Sequence, residues 1–127
     1  MDDLKGIKMK TESKGNFDFE NLFVYRLARK VLALLAKWTA RPPRKAAPVT
    51  DHLDRALDSI LLNIAEGTGK DRGSRDRARF YKIALGSAKE AAAALDIMVL
   101  RSFIRPEKAE EARTLLRRIV GMLHNMS

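Results

Sequence analysis

Four stretches of this chain repeat their apolar residues every three or four positions, and none of useful length alternates as a strand would. Such a rhythm leaves one fold class, helices packed on helices. The first helix is expected from about Phe19 to about Ala40. Val24, Leu27, Val31, Leu35 and Trp38 form one stripe, with Tyr25, Ala28, Leu32 and Ala36 beside it. The run Arg41-Pro42-Pro43-Arg44-Lys45-Ala46-Ala47-Pro48 then breaks the helix, because proline lacks a donor and disfavours helix before it. A second helix is expected from Thr50 as N-cap, with Leu53, Leu57, Ile60 and Ile64 inward and Gly67 as its terminating C′ residue. A third starts at Ser74 and runs to about Ser102. It carries Tyr81, Leu85, Ala88, Ala92, Leu95 and Val99 in one stripe, and the smaller Ala84, Ser87, Ala91, Ala94 and Met98 in another. The fourth opens on Pro106 and runs to about Asn125, with Ala109, Ala112, Leu116, Ile119 and Leu123 inward.

Short connections favour antiparallel neighbours, so the expected architecture is all-α: an up-down-up-down four-helix bundle over residues 17–127. Residues 1–16 are charged, contain Gly6 and Gly15, and read as a flexible N-terminal arm. A chain of 127 residues suits one domain. The apolar faces of the first and third helices are wider than one monomeric core requires. That points to a homo-oligomer, against the alternative of a generously packed monomer.

Several chemistries are excluded. With no Cys there is no disulfide, thiolate metal site or Cys nucleophile. The only imidazoles, His52 and His124, fall in no ligand spacing. Glu66 and Glu90 are not in the Glu-x-x-His setting that a di-metal bundle uses, so neither a metal nor a cofactor is expected, and no enzyme. The loop Gly67–Gly73 lacks both the Gly-Lys-Ser/Thr ending and the preceding strand of a phosphate loop. The N-terminus has no apolar signal region, and stretches such as Val31–Ala36 are too short to span a bilayer. A cytoplasmic protein without a membrane partner is expected.

Charge supplies the positive clue. Twenty-five Lys and Arg against sixteen Asp and Glu leave a net charge of +9, which suits an acidic partner. Residues 26–45 hold seven cations and no acid. At 100° per residue, Arg26, Lys30, Lys37 and Arg41 share a narrow sector of the first helix, and Arg44 and Lys45 extend it into the Pro-rich loop. Residues 70–82 carry six cations against two acids. Arg75, Arg79 and Lys82 line one side of the third helix, with Lys70 and Arg72 in the loop before it and Lys89 further along. Most charge runs are simply solvated faces. Twenty residues without an acid favour RNA or DNA held through its phosphates, against the alternative of a protein-docking scaffold whose basic stripes meet an acidic protein. There is no helix-turn-helix, zinc spacing or aromatic platform for reading bases.

Polar residues also interrupt the apolar pattern. Ser59, Asn63 and Glu66 lie beside the Ile60/Ile64 stripe, and Gly86, Ser87 and Glu90 lie in mid-helix. They suggest a close contact of the second and third helices at Gly86, an Asn63–Ser87 hydrogen bond across it, and Glu66 and Glu90 either pairing with Arg55 or capping neighbouring groups.

The run Ser59-Ile60-Leu61-Leu62-Asn63-Ile64-Ala65-Glu66-Gly67, followed by Phe80-Tyr81-Lys82-Ile83-Ala84-Leu85-Gly86-Ser87-Ala88-Lys89-Glu90, resembles the four-helix bundle family encoded in intervening sequences of bacterial 23S rRNA genes. Phe19 to Ala28 is similar to the family's opening, and the likeness covers roughly residues 17–124. It implies a ring-shaped oligomer, typically a pentamer. A related branch, the accessory variability proteins of diversity-generating retroelements, implies binding to nucleic acid and to a reverse transcriptase. Neither branch implies an enzyme. Departures occur at His52-Leu53-Asp54-Arg55-Ala56, at Asp58 and at Glu90-Ala91.

Overall fold

The structure, a computed structural model, describes residues 16–127. The expected arm over residues 1–16 therefore lies, except for Asn16, outside the described residues. Four helices carry the fold: α1 (Phe23–Ala40), α2 (Ala47–Thr68), α3 (Arg75–Leu100) and α4 (Pro106–Met126). Short 3-10 turns at Asp18–Asn21 and Arg44–Ala46 precede α1 and α2. No strand occurs among the described residues.

The helix starts depart from expectation for local reasons. Residues 19–22 are not part of α1. The Glu20 carboxylate accepts from the Phe17 backbone N–H at 2.8 Å and closes a separate turn. The Phe17 and Phe19 rings stack at 5.5 Å, and Phe19 meets Tyr25 edge-on at 4.9 Å. Leu22 is then extended, and α1 begins after it. The run from Arg41 ends α1 as expected, but its last proline, Pro48, already sits in the first turn of α2, where its missing donor costs nothing. Thr50 is consequently not the N-cap. It is buried inside the helix, and its hydroxyl donates back to the Ala46 carbonyl at 2.7 Å. Ser74 does cap α3, its hydroxyl accepting from the Arg77 N–H at 3.0 Å.

Gly67 is not a terminator either. It is helical and buried, and α2 continues to Thr68. The glycine is needed for space. A Cβ there would lie 2.9 Å from Tyr81 Cε1 and 3.1 Å from Phe80 Cβ. The Tyr81 ring is pinned in place, because its hydroxyl bonds the Thr68 hydroxyl at 2.8 Å and accepts from Arg77 Nε at 3.2 Å. The residue that does turn left-handed is Gly73, at φ 72°. After α3, Ser102 is also left-handed at φ 60°, and the Phe103 N–H closes onto the Met98 carbonyl at 2.8 Å. That is a Schellman ending made without glycine.

The most extensive packing is α2 on α3, followed by α3 on α4. α1 packs on α2 and α4, which leaves α1 and α3 diagonal to one another. The core contains Val31, Leu35, Leu53, Ile60, Ile64, Leu95, Met98, Leu116, Ile119 and Leu123, all fully buried. Full burial of one such side chain stabilises by roughly 1.5–3 kcal/mol. The small stripe of α3, Ala84, Ser87, Ala91 and Ala94, is buried throughout. Its polar member is matched: Ser87 and Ser59 hydroxyls lie 2.7 Å apart. Asn63 does not reach Ser87. Its Nδ2 donates instead to the Ser59 carbonyl at 2.8 Å and hydroxyl at 3.0 Å, so Ser59 is the bridge. Gly86, expected at the close contact, is exposed with nothing near a would-be Cβ. Glu66 pairs with Lys70 at 3.3 Å rather than with Arg55.

Apolar side chains also remain outside. Leu62 is 68% exposed and Leu100 76%, with Ile83 and Ile97 near 40% on the same side of α3. Among the described residues no helix is long and apolar enough to cross a membrane.

Candidate nucleic-acid interface

The inward stripe of α1, Val24, Leu27, Val31 and Leu35, fixes which way the opposite side points. Arg26, Lys30, Lys37 and Arg41 fall on that outer side and are exposed, as are Arg44 and Lys45 in the following turn. Arg29, which the ridge did not include, is exposed beside it, set one step around the helix. Arg26 Nε donates to the Glu20 carbonyl at 3.0 Å, which anchors one end of the ridge. None of these seven cations takes part in an ion pair among the described residues.

The α3 stripe differs. Arg75, Arg72 and Lys82 are exposed, but Arg79 pairs with Asp76 at 3.1 Å and Lys70 with Glu66. Both of these paired cations also lie over the Phe80 ring, Arg79 at 4.5 Å and Lys70 at 5.5 Å. Partial neutralisation makes this stripe the weaker of the two. Because α1 and α3 are diagonal, the stripes lie on opposite sides of the bundle and do not merge into one surface.

Lys82 and Lys89 line an open cavity of about 410 Å³ together with Leu85, Gly86, His124 and Ser127. Sequence spacing gives no sign of this, since His124 arrives from α4. Among the described residues no group of three His, Asp or Glu is placed to hold a metal ion. An acidic patch lies on α2. Burial holds the Asp54 carboxyl above its ordinary range, eased by a hydrogen bond with Thr39 and reinforced by Asp58 and Asp51.

The family motif maps onto the α2–α3 contact. Ser59, Asn63, Gly67 and Ser87 make it, while Glu66, Gly86 and Glu90 face outward. The family model for the 23S rRNA-intervening sequence protein matches residues 20–125. The chain belongs to that family. A crystal structure of a protein of unknown function from the S23 ribosomal protein family of Bacteroides thetaiotaomicron is similar in fold, with a TM-score of 0.59 at 22% identity. The match covers 85% of this chain and 94% of that one. No curated protein matches.

Proposed function

We propose that this intervening-sequence protein is a non-catalytic basic bundle that assembles with copies of itself and binds RNA or DNA through phosphates. The α1 ridge with its flanking Arg29 carries the reading: seven exposed cations, no acid among them and, among the described residues, no ion pair engaging them. Each phosphate neutralised releases condensed counterions, and Arg adds a fork matched to phosphate oxygens.

An antiparallel order of the helices is supported by the paired residues. Contacts run from Ser59–Ser87 to Thr68–Tyr81, rising on α2 as they fall on α3. Self-association is supported by the large apolar side chains left in water, Leu62 on α2 and Ile83, Ile97 and Leu100 on α3. A ring would repeat the ridge and raise avidity. Cytoplasmic residence follows from such a partner.

The test is binding to a labelled structured RNA and a matched duplex DNA across a salt series, at known oligomeric state. Replacing Arg26, Lys30, Lys37 and Arg41 with Gln should weaken binding and flatten the log–log salt slope by up to about 3–4. Helix content should not change. An unaltered slope would remove the ridge as the site. No binding by the wild-type chain at low salt would remove the reading itself.

A further inference from the structure

Beside the far end of the α1 ridge lies an open cleft of about 490 Å³. Trp38 of α1 and Phe103 of the α3–α4 connection line it, together with Arg105, Glu107, Lys108 and Glu111. Its size falls in the range of small-ligand sites, which runs from roughly 300 to 1,000 Å³. We propose that this cleft receives an unpaired nucleobase from the same strand whose phosphates follow the ridge. The inference rests on the nucleic-acid reading above and narrows it from any polyanion to a strand with unpaired bases.

Placement is the first support. Trp38 follows Lys37 directly and precedes Arg41 by one turn, so it stands between the core stripe and the cationic ridge. A strand whose phosphates contact Lys37 and Arg41 carries its bases within reach of the indole.

Chemistry is the second. Both aromatic side chains are half-buried, each with part of its surface open, and they are not paired with one another among the described residues. Every base has a π-face, so stacking on an aromatic ring does not depend on sequence. Around the rings stand two carboxylates, which accept from exocyclic amines and ring N–H groups, and two cations, which donate to carbonyls and ring nitrogens. None of the four is held in an ion pair among the described residues. Glu107 and Glu111 are one helical turn apart on α4, which puts both on one edge of the cleft.

A fixed mounting for the second ring is the third. Phe103 owes its position to Ser102, a non-glycine residue held left-handed at φ 60°. The Phe103 N–H bond to the Met98 carbonyl fixes the turn.

Trp38 is the only tryptophan in the chain, so its fluorescence reports on the cleft alone. The full chain is titrated with a labelled short single strand, with the same strand carrying abasic sites, and with a fully paired duplex. Label anisotropy follows binding while Trp38 emission follows stacking. The intact single strand should quench Trp38 to a plateau at saturation, and the abasic strand should bind without quenching. Trp38→Leu should weaken the single strand by roughly 5- to 100-fold and leave the duplex within about twofold. Phe103→Ala repeats the comparison where loss of Trp38 harms the fold. Binding without quenching, or equal quenching by the abasic strand, overturns the base cleft and leaves the phosphate ridge standing. Quenching by free nucleoside monophosphate at the same concentration, with no gain from the strand, also overturns it, since the cleft would then serve a free nucleotide. No binding by any probe overturns both readings.

Discussion

Gly67 and Gly86 both sit inside helices, yet the structure assigns their alanine variants opposite signs. Alanine in place of glycine in a helix interior gains about 1 kcal/mol from backbone entropy alone. At Gly86 nothing lies within 4 Å of the new methyl, so the gain should appear in full. At Gly67 the methyl arrives 2.9 Å from the Tyr81 ring and 3.1 Å from Phe80 Cβ. Overpacking of this kind costs about 1–3 kcal/mol. The upper part of that range applies, because the Tyr81 ring cannot swing away without giving up its bonds to Thr68 and Arg77. Subtracting the propensity gain leaves Gly67→Ala destabilised by about 1–2 kcal/mol, and the two variants separated by about 2–3 kcal/mol. For a domain of this size each kcal/mol moves Tm by roughly 3–6 °C. Urea and thermal melts followed by circular dichroism, at matched protein concentration, measure both. A Gly67→Ala variant as stable as wild type would refute the close α2–α3 approach. A destabilised Gly86→Ala would show that its open face is covered in solution, by another copy of the chain.

Three further outcomes are expected. Asp54→Asn should be more stable than wild type near neutral pH. The folded carboxyl holds its proton more tightly than the unfolded one, so the wild-type penalty is full above the raised pKa and fades as pH falls through it towards the unfolded value; melts at neutral and acid pH check that the gap closes. A double-mutant cycle of Ser59→Ala and Ser87→Ala should give a coupling of about 0.5–1.5 kcal/mol in urea melts, and zero coupling would mean the hydroxyls do not pair. Ser102→Gly should raise stability by up to about 1–2 kcal/mol by relieving the left-handed backbone, and a loss on the same thermal melt would show that the serine side chain is needed there.

The inward stripes of all four helices were legible because 3.6-residue spacing leaves no other partner for them. Every residue assigned inward on α4, for instance, is buried. The errors came where one residue type serves two purposes. Pro48 ends a helix or starts one, and only its neighbours decide which. Glycine supplies a left-handed turn at Gly73 but clearance at Gly67, and spacing does not tell these apart. Of the candidate interface, the α1 ridge was readable from a single helix. Partial neutralisation of the α3 stripe by Asp76 and Glu66 was only half visible, and the diagonal placement of the two stripes was not visible at all. His124 in one cavity with Lys82 and Lys89, and Phe103 in one cleft with Trp38, come from separate elements, so only tertiary packing brings them together.

The small stripe of α3 has a consequence for alignment. Ala84, Ala91 and Ala94 are buried and carry only a methyl group each, so along this stripe apolar packing marks the register of α2 on α3 only weakly. Hydrophobic packing alone therefore distinguishes poorly between shifted pairings. The Ser59–Ser87 contact, with Asn63 folded onto Ser59, breaks that near-degeneracy. A slip that carries Ala56, three residues before Ser59, opposite Ser87 would strand the serine hydroxyl, at a cost of about 1–3 kcal/mol. Two serines and an asparagine at mid-helix, with the Gly67 clearance beneath Tyr81 at the end of α2, thus act as two vernier marks that select one register of the helix pair.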